Sequence, residues 1–442
     1  MQSRDIIVAP ATALGGAIAV IRMSGEGSVA LCDNLFKGRK PLAEAKSHTI
    51  RYGSICDGER VVDDVVVAVF RAPHSYTGEE SVEISIHGSR YIASEVMRLL
   101  CEQGARMAEA GEFSQRALAA GRIDLSQAEA VADLIAAESR AAHAVAATQM
   151  RGGYSELLDG LREELLNLST LLELELDFSE EDVEFADREK LRSMLDKTDK
   201  AVVRLMESFR VGNAIREGVS VAIVGRPNVG KSTLLNRLVG DDRAMVSDIA
   251  GTTRDTIEEC VVIDDIRFRF VDTAGLHDTD DKLEKMGIER TERAIRQAQV
   301  ILYMAEPTQT ELALPTLVEE QTLLLVMNKM DTTDSRDIDN AIYISAREGE
   351  GIDALRQALR ATVDTEGLYR GEVVVSNMRH FEALSRAHNH LREALQALCN
   401  GISEELLAED IRLAINSLAE ITGRITSEDI LKNVFARFCI GK

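Results

Sequence analysis

Residues 221–238 read "VAIVGRPNVGKSTLLNRL", and this stretch decides the central part of the fold. Four apolar residues, Val221 to Val224, make a strand pattern. Gly225-x4-Gly230-Lys231-Ser232 follows, and Leu234, Leu235 and Leu238 then recur at helical spacing. A strand that turns on glycines into a helix gathers backbone N–H groups and the positive helix end at one point, where phosphates bind. Lys231 adds a point charge near the β- and γ-phosphates, and the Ser232 hydroxyl suits Mg²⁺. Asn228, Val229, Gly230 and Thr233 complete the expected cradle.

Outward from this loop, strand-like runs alternate with helical ones: "VSVAIV", "ECVVID", "IRFRFVD", "VILYMA", "TLLLVM" and "AIYIS". That rhythm predicts a mostly parallel sheet covered by helices. "LLLVMNKMD" ends one run with Asn328, Lys329 and Asp331. A carboxylate at Asp331 accepts both hydrogens of the guanine N1–N2 edge, and adenine has no such donor pair, so the expected nucleotide is GTP. "ISAREG" sets Ser345, Ala346 and Arg347 after another strand, with the Ala346 N–H expected at the guanine O6. "FVDTAGL" supplies Asp272, Thr273, Ala274 and Gly275, and "SDIAGTTRD" (247–255) supplies Thr252 and Thr253. Together these segments resemble the five elements of Ras-like, translation-factor-related GTPases. Ras-type hydrolysis orients water with a glutamine after the DTAG-type segment, often with an arginine finger worth roughly 10³–10⁵ in rate. Here Leu276 follows, so another cation and another water-positioning group are required. The Asn228 amide oxygen, with carbonyls of "SDIAGT", can hold K⁺ in place of the finger, or Asn228 only braces the loop.

The flanking regions have other textures. Residues 1–118 mix short β-rich runs ("DIIVA", "AIAVIRMSG", "VVDDVVVAVFRAP", "SVEISIHG") with turns, an α+β domain in which Val82, Ile84 and Ile86 share one face and Glu83, Ser85 and His87 the other. From 119 to 212 the pattern is helical, with Leu157, Leu161, Leu165, Leu168 and Leu172 as one stripe. The same texture returns over 372–442, with Leu391, Leu395 and Leu398 and then Ile411, Ile415 and Leu418. The expectation is one discontinuous helical domain interrupted by an α/β insertion over 213–371. His388 and His390, two apart on a helix, face different directions and read as surface or packing residues.

The chain has 442 residues and a formal net charge of −23, which disfavours a broad grip on nucleic-acid phosphates. Its six cysteines lie apart with no CxxC pair, so reduced thiols and neither a zinc site nor disulfides are expected. No apolar run reaches membrane-span length, and "MQSRDIIVAPATALGGAIAVIRMSG" is broken by Asp5, Gly15 and Gly16, so no membrane and a cytoplasmic location are expected.

Three further segments, "SYTGEESVEISIHG", "GEFSQRALAAGRIDLSQAEAVADLI" and the closing "FCIGK", make the whole chain resemble the MnmE (TrmE) family of tRNA modification GTPases. The resemblance implies an N-terminal domain like those that bind tetrahydrofolate, which also forms a homodimer. It implies Mg²⁺- and K⁺-dependent GTP hydrolysis. It implies work in a heterotetramer with the FAD-carrying flavoprotein MnmG, adding an aminomethyl or carboxymethylaminomethyl group at C5 of wobble uridine 34 in certain tRNAs. The carbon would come from 5,10-methylene-tetrahydrofolate and the nitrogen from glycine or ammonium. Carried over by motif, Asn228, Ser247, Ile249 and Thr252 would hold K⁺, Ser232 and Thr253 Mg²⁺, and Glu284 in "DDKLEKMGIER" would position water. Taken without the resemblance, Glu284 is one acid among Asp278, Asp280 and Asp281 on solvated surface. Arg22, Glu83, Arg122 and Lys442 would form the folate pocket, and the tail would fold back to deliver Cys439 as a nucleophile or a binding group. Glu79 and Glu80 read as structure or rim. The alternative is a ribosome-assembly-type GTPase switch, for which an appended basic RNA-binding domain is expected and not found in the sequence.

Overall fold

The computed structural model describes residues 5–177, 188–242, 259–271, 292–309, 312–318, 321–332, 338–363, 372–400, 404–436, 438 and 441. The chain forms two compact units, Met1–Ala132 with Ser155–Asp159 and Ala419–Lys442, and Asp133–Tyr154 with Gly160–Leu418.

The first unit is built on a seven-stranded sheet of β1 (Ile7–Pro10), β2 (Ile18–Ser24), β3 (Phe36–Gly38), β4 (Thr49–Asp57), β5 (Arg60–Phe70), β6 (Ser81–His87) and β7 (Arg106–Met107). Its order is β3-β4-β5-β6-β2-β1-β7, antiparallel except where β7 joins β1. Val82, Ile84 and Ile86 are buried and His87 is exposed, as the alternation predicts. The short helix α1 is Ser28–Asp33, and α2 (Arg90–Glu102) buries Ala93, Val96, Leu99 and Leu100 in the sheet's core. Strand β4 has no counterpart among the predicted runs. Its apolar residues Ile50 and Tyr52 face outward, 65% and 70% exposed, and a register shift at Ile55/Cys56 breaks the period-2 signal. Helix α3 is Glu112–Ala119 and α4 is Leu125–Ala136. Leu125 and Ala128 share a core with Val434 and Phe435 of a C-terminal helix, Glu428–Phe435, and with Phe438. The Ser427 side chain caps that helix by accepting from the Ile430 N–H, so the end of the chain is anchored here.

The helices α5 (Arg140–Met150), α6 (Gly153–Asp177) and α7 (Arg188–Glu217) precede the second sheet. On α6 the buried row is Leu158, Leu165, Leu168 and Leu172, and Leu157 is 40% exposed. The expected stripe therefore starts one residue late. Steps of three and four must alternate to stay on one face at about 3.6 residues per turn, and 157, 161, 165 drifts off it. After the sheet come α10 (Met378–Asn400) and α11 (Glu404–Thr422). Phe209 of α7 stacks on Phe381 of α10 with ring centroids 4.6 Å apart, and His388 Nδ1 meets Asp199 Oδ1 at 2.6 Å. The two helical segments thus pack on each other around the insertion.

The inserted sheet comprises β8 (Val219–Gly225), β9 (Glu259–Ile263), β10 (Ile266–Phe270), β11 (Val300–Ala305), β12 (Thr322–Met327) and β13 (Ile342–Tyr343). Its order is β13-β12-β11-β8-β10-β9, parallel except for β9 against β10. Helices α8 (Lys231–Asp242) and α9 (Ile352–Ala361) contribute Leu234, Leu235, Leu355 and Leu359 to its core. Strand β8 lies where the strand order reverses, so the loop after it opens into the crevice where such sheets bind ligands. Among the described residues no helix is long and apolar enough to cross a membrane. Cys32, Cys56, Cys101, Cys260 and Cys399 are free thiols, and burial pushes Cys32 up to about 12.

Candidate nucleotide and folate sites

The phosphate loop joins β8 to α8 as predicted. Asn228 at its tip is exposed with φ 62°, Val229 is buried, and Ser232 lies half-buried in the first turn of α8. Thr233 is exposed. Gly230 has φ 101°, and a Cβ there would stand 2.3 Å from Asn328 Nδ2, so only glycine fits. Lys231 Nζ donates to the carbonyls of Gly225 at 2.9 Å and Arg226 at 3.0 Å, which holds its ammonium over the loop. Burial lowers its pKa from the ordinary lysine value.

Asn328 ties the site together. It is 3% exposed, its Nδ2 donates to the Val229 carbonyl at 2.8 Å, and its Oδ1 accepts the Ala346 N–H at 2.9 Å. The Ala346 N–H, expected at the guanine O6, here braces the loop through Asn328. The exposed Asp331 accepts from Ser345 Oγ at 2.9 Å, and Ser345 Oγ accepts the Glu348 N–H at 3.2 Å. Lys329, at φ 71°, pairs with Glu306. Arg237 of α8 donates to the carbonyls of Ala346 and Arg347, fastening the base-reading loop to the phosphate-loop helix. Sequence reading named neither Arg237 nor Glu306, nor the bracing bonds of Asn328, since single polar residues do not disclose their partners.

In the first unit Arg22 on β2 stands directly across from Glu83 on β6, with Nε and Nη2 each 2.9 Å from Glu83 Oε1. The guanidinium lies 5.7 Å from the Tyr76 ring centroid and 5.8 Å from that of Phe113, within cation–π range. Tyr76 is held by a 2.8 Å hydrogen bond with Ser114. Arg22 Nη1 reaches the carbonyl of Gly441 at 3.5 Å. Gly441 has φ 101°, and a Cβ on it would lie 2.1 Å from the Pro10 carbonyl, so its backbone is pressed against the end of β1. Arg122 is exposed, and its stem packs on the Tyr76–Gly78 turn: a Cβ at Gly78 would be 3.2 Å from Arg122 Cγ. Glu79 accepts from Ser24 at 2.7 Å and from Arg116, and Glu80 accepts the Val29 N–H at 3.1 Å and pairs with Arg71. Both acids are structural.

The MnmE helical-domain model matches residues 125–439, and the model of the GTP-binding protein TrmE N-terminus matches 6–122. The chain belongs to the MnmE family. A Bacteroides thetaiotaomicron tRNA modification GTPase MnmE is 46% identical over 465 residues, covering 100% of both chains. A Flavobacterium johnsoniae protein of the same name is 45% identical over 466 residues, again covering 100% of each. Among solved structures, an Aquifex aeolicus Era variant is 26% identical over 39% of this chain and 66% of that one, with a TM-score of 0.25. With this membership and relatives named tRNA modification GTPase, the MnmE-family chain is a GTP-hydrolysing enzyme. Of its expected site residues, Ser247, Ile249, Thr252, Thr253, Asp272, Thr273, Ala274, Gly275, Glu284, Cys439 and Lys442 lie outside the described residues.

Proposed function

We propose that this chain couples GTP hydrolysis to tRNA modification, placing an aminomethyl or carboxymethylaminomethyl group at C5 of wobble uridine 34 in certain tRNAs. It does so with an MnmG-type flavoprotein that carries FAD. The relatives named tRNA modification GTPase support the tRNA substrate. The observation that carries the reading is the contact of Gly441 with Arg22 and Pro10, which brings the end of the chain to the Arg22–Glu83 pair.

The donor set there suits a reduced folate. A carboxylate reads the donor edge of a pterin, and arginine cations match a glutamate tail. When bound, 5,10-methylene-tetrahydrofolate supplies the one-carbon unit, with glycine or ammonium as nitrogen source. Glu83 would accept from the pterin, Arg22 and Arg122 would carry the positive charge, and Cys439 and Lys442, in sequence on either side of Gly441, would act at the one-carbon donor.

In the inserted domain the hydroxyl of Ser232 and the exposed amide of Asn228 fit cations beside the phosphates. Ser232 and Thr253 would hold Mg²⁺, and Asn228, Ser247, Ile249 and Thr252 would hold K⁺. When bound, these ions neutralise charge that develops on the transferred phosphoryl group. Lys231 adds its own charge, and Glu284 orients the attacking water. The exposed Ile50 and Tyr52 of β4, with Val66 directly opposite Tyr52 on β5, form an apolar sheet face that supports homodimerisation through the N-terminal domain. Domain limits at 118/119, 212/213 and 371/372 belong to the same proposal.

Nucleoside analysis of tRNA from cells lacking the protein tests the reading: modified wobble uridine should disappear, and an unchanged nucleoside profile would sink it. Hydrolysis should be faster in KCl than in NaCl, and equal rates would remove K⁺ from the site.

A further inference from the structure

His388 and His390 are two residues apart on α10, and the structure sends them to different neighbours. His388 turns to Asp199 of α7. His390 turns to Glu393, one helical turn along, with Nδ1 3.4 Å from Glu393 Oε2, and to Asp410 on α11. One ligand atom from each of His390, Glu393 and Asp410 lies within 4.8 Å of the other two. The Nδ1 atom of His390 is closed off from solvent and has no hydrogen-bond partner. Glu393 approaches this nitrogen from one turn along α10, and Asp410 brings the second carboxylate of the cluster from α11. Arg412, on the same helix as Asp410, pairs with Glu409 and Glu173 instead. The cluster therefore sets two carboxylates beside an imidazole whose Nδ1 is within ion-pair distance of Glu393 and makes no hydrogen bond.

We propose that His390, Glu393 and Asp410 form a divalent-cation site of the zinc class that ties α10 to α11. One imidazole nitrogen and two carboxylate oxygens are a donor set for a borderline transition-metal ion, and three protein ligands leave a coordination position to water. Ligand atoms around tetrahedral zinc stand about 3.3 Å apart. Glu393, whose side chain is 61% exposed, can swing in to reach that spacing without moving a helix. The site shares no residue with the nucleotide or folate sites, and its role is to fix the packing of two helices.

The test uses the full chain stripped with chelator and free of nucleotide. Zn²⁺ is titrated against a competing chelating dye, and Co²⁺ is added separately as an optical probe. The expected result is one His390-dependent Zn²⁺ per chain, a raised melting temperature with zinc, and a cobalt spectrum without a thiolate charge-transfer band. Affinity should fall by roughly 10-fold or more in His390→Ala, Asp410→Asn and Glu393→Gln. Glu393→Gln changes an exposed side chain, so it keeps the test valid if the other variants fold poorly. It should leave Mg²⁺-supported GTP hydrolysis unchanged. Zinc affinity equal to wild type in Glu393→Gln, no binding at all, or a thiolate band that places the ion on cysteines would each overturn the proposal.

Discussion

The nucleotide site and the Arg22–Glu83 site differ in how they are assembled. The first grows from loops at the ends of neighbouring parallel strands, and its shape is set by backbone: a left-handed Gly230, a helix start at Lys231, and Asn328 bracing two loops at once. The second is assembled from side chains 61 residues apart across two antiparallel strands and from a backbone carbonyl 419 residues away. A backbone-built site leaves a contiguous signature in sequence. A side-chain site gathered from distant segments does not. The two should also fail independently, because each lies in a separate compact unit.

The strongest way to break that comparison is Asp331→Asn. Two charge-assisted hydrogen bonds to guanine of about 1.5–3 kcal/mol each would be lost, so GTP affinity should drop by roughly 10²–10⁴-fold. Binding of a tetrahydrofolate derivative, measured by equilibrium titration, should stay at the wild-type value. If folate binding fell in parallel, the two sites would not be independent. Glu83→Gln is the converse: it removes the charge facing Arg22 and the pterin acceptor, and folate affinity should fall by roughly 10-fold or more while GTP hydrolysis stays intact. Gly441→Ala should produce the same split, because its methyl group cannot fit against the Pro10 carbonyl.

Asn328→Ala probes the buried strut that links the Ala346 loop to the phosphate loop. It leaves the Ala346 N–H and Val229 carbonyl without their partner, at about 1–3 kcal/mol for each unsatisfied group. Thermal unfolding of the inserted domain should shift downward, and GTP affinity should fall even though the phosphate-loop sequence is unchanged.

The smallest expected effect concerns acid stability. Burial opposes ionisation of Glu112, yet hydrogen bonds from Arg106, the Glu109 N–H and Arg116 outweigh it and hold the carboxyl below its ordinary value of 4.5. A lowered folded-state pKa contributes stability that is present above the unfolded value and is lost as pH falls through the folded one. The N-terminal unit should therefore weaken below about pH 4.5, and Glu112→Gln should flatten that dependence. An identical acid-unfolding profile in the variant would contradict the assignment.

Much of the fold was legible. The six runs expected in the insertion are its six strands, and the alternation in β6 points Val82, Ile84 and Ile86 inward. Strand β4 escaped because its outward residues Ile50 and Tyr52 are more apolar than the inward Thr49, Arg51 and Gly53, which inverts the contrast that periodicity needs. The leucine stripe of α6 holds at Leu165, Leu168 and Leu172 and differs at its start, because leucines stand at both 157 and 158 and only packing distinguishes them. His390 was separated correctly from His388 by helical geometry. Its partner Asp410 lies on another helix and could not be seen from the spacing.

Local chain order alone determined the phosphate loop and the interruption of a helical region by an α/β insertion. Each of these depends on neighbours within a few residues, whose backbone geometry is limited by sterics. Tertiary structure alone decided that Asn328 serves as a strut, that Arg237 fastens the base-reading loop, and that Gly441 meets Arg22 beside Glu83. Contacts across tens to hundreds of residues depend on the folded path, which no local rule of conformation encodes.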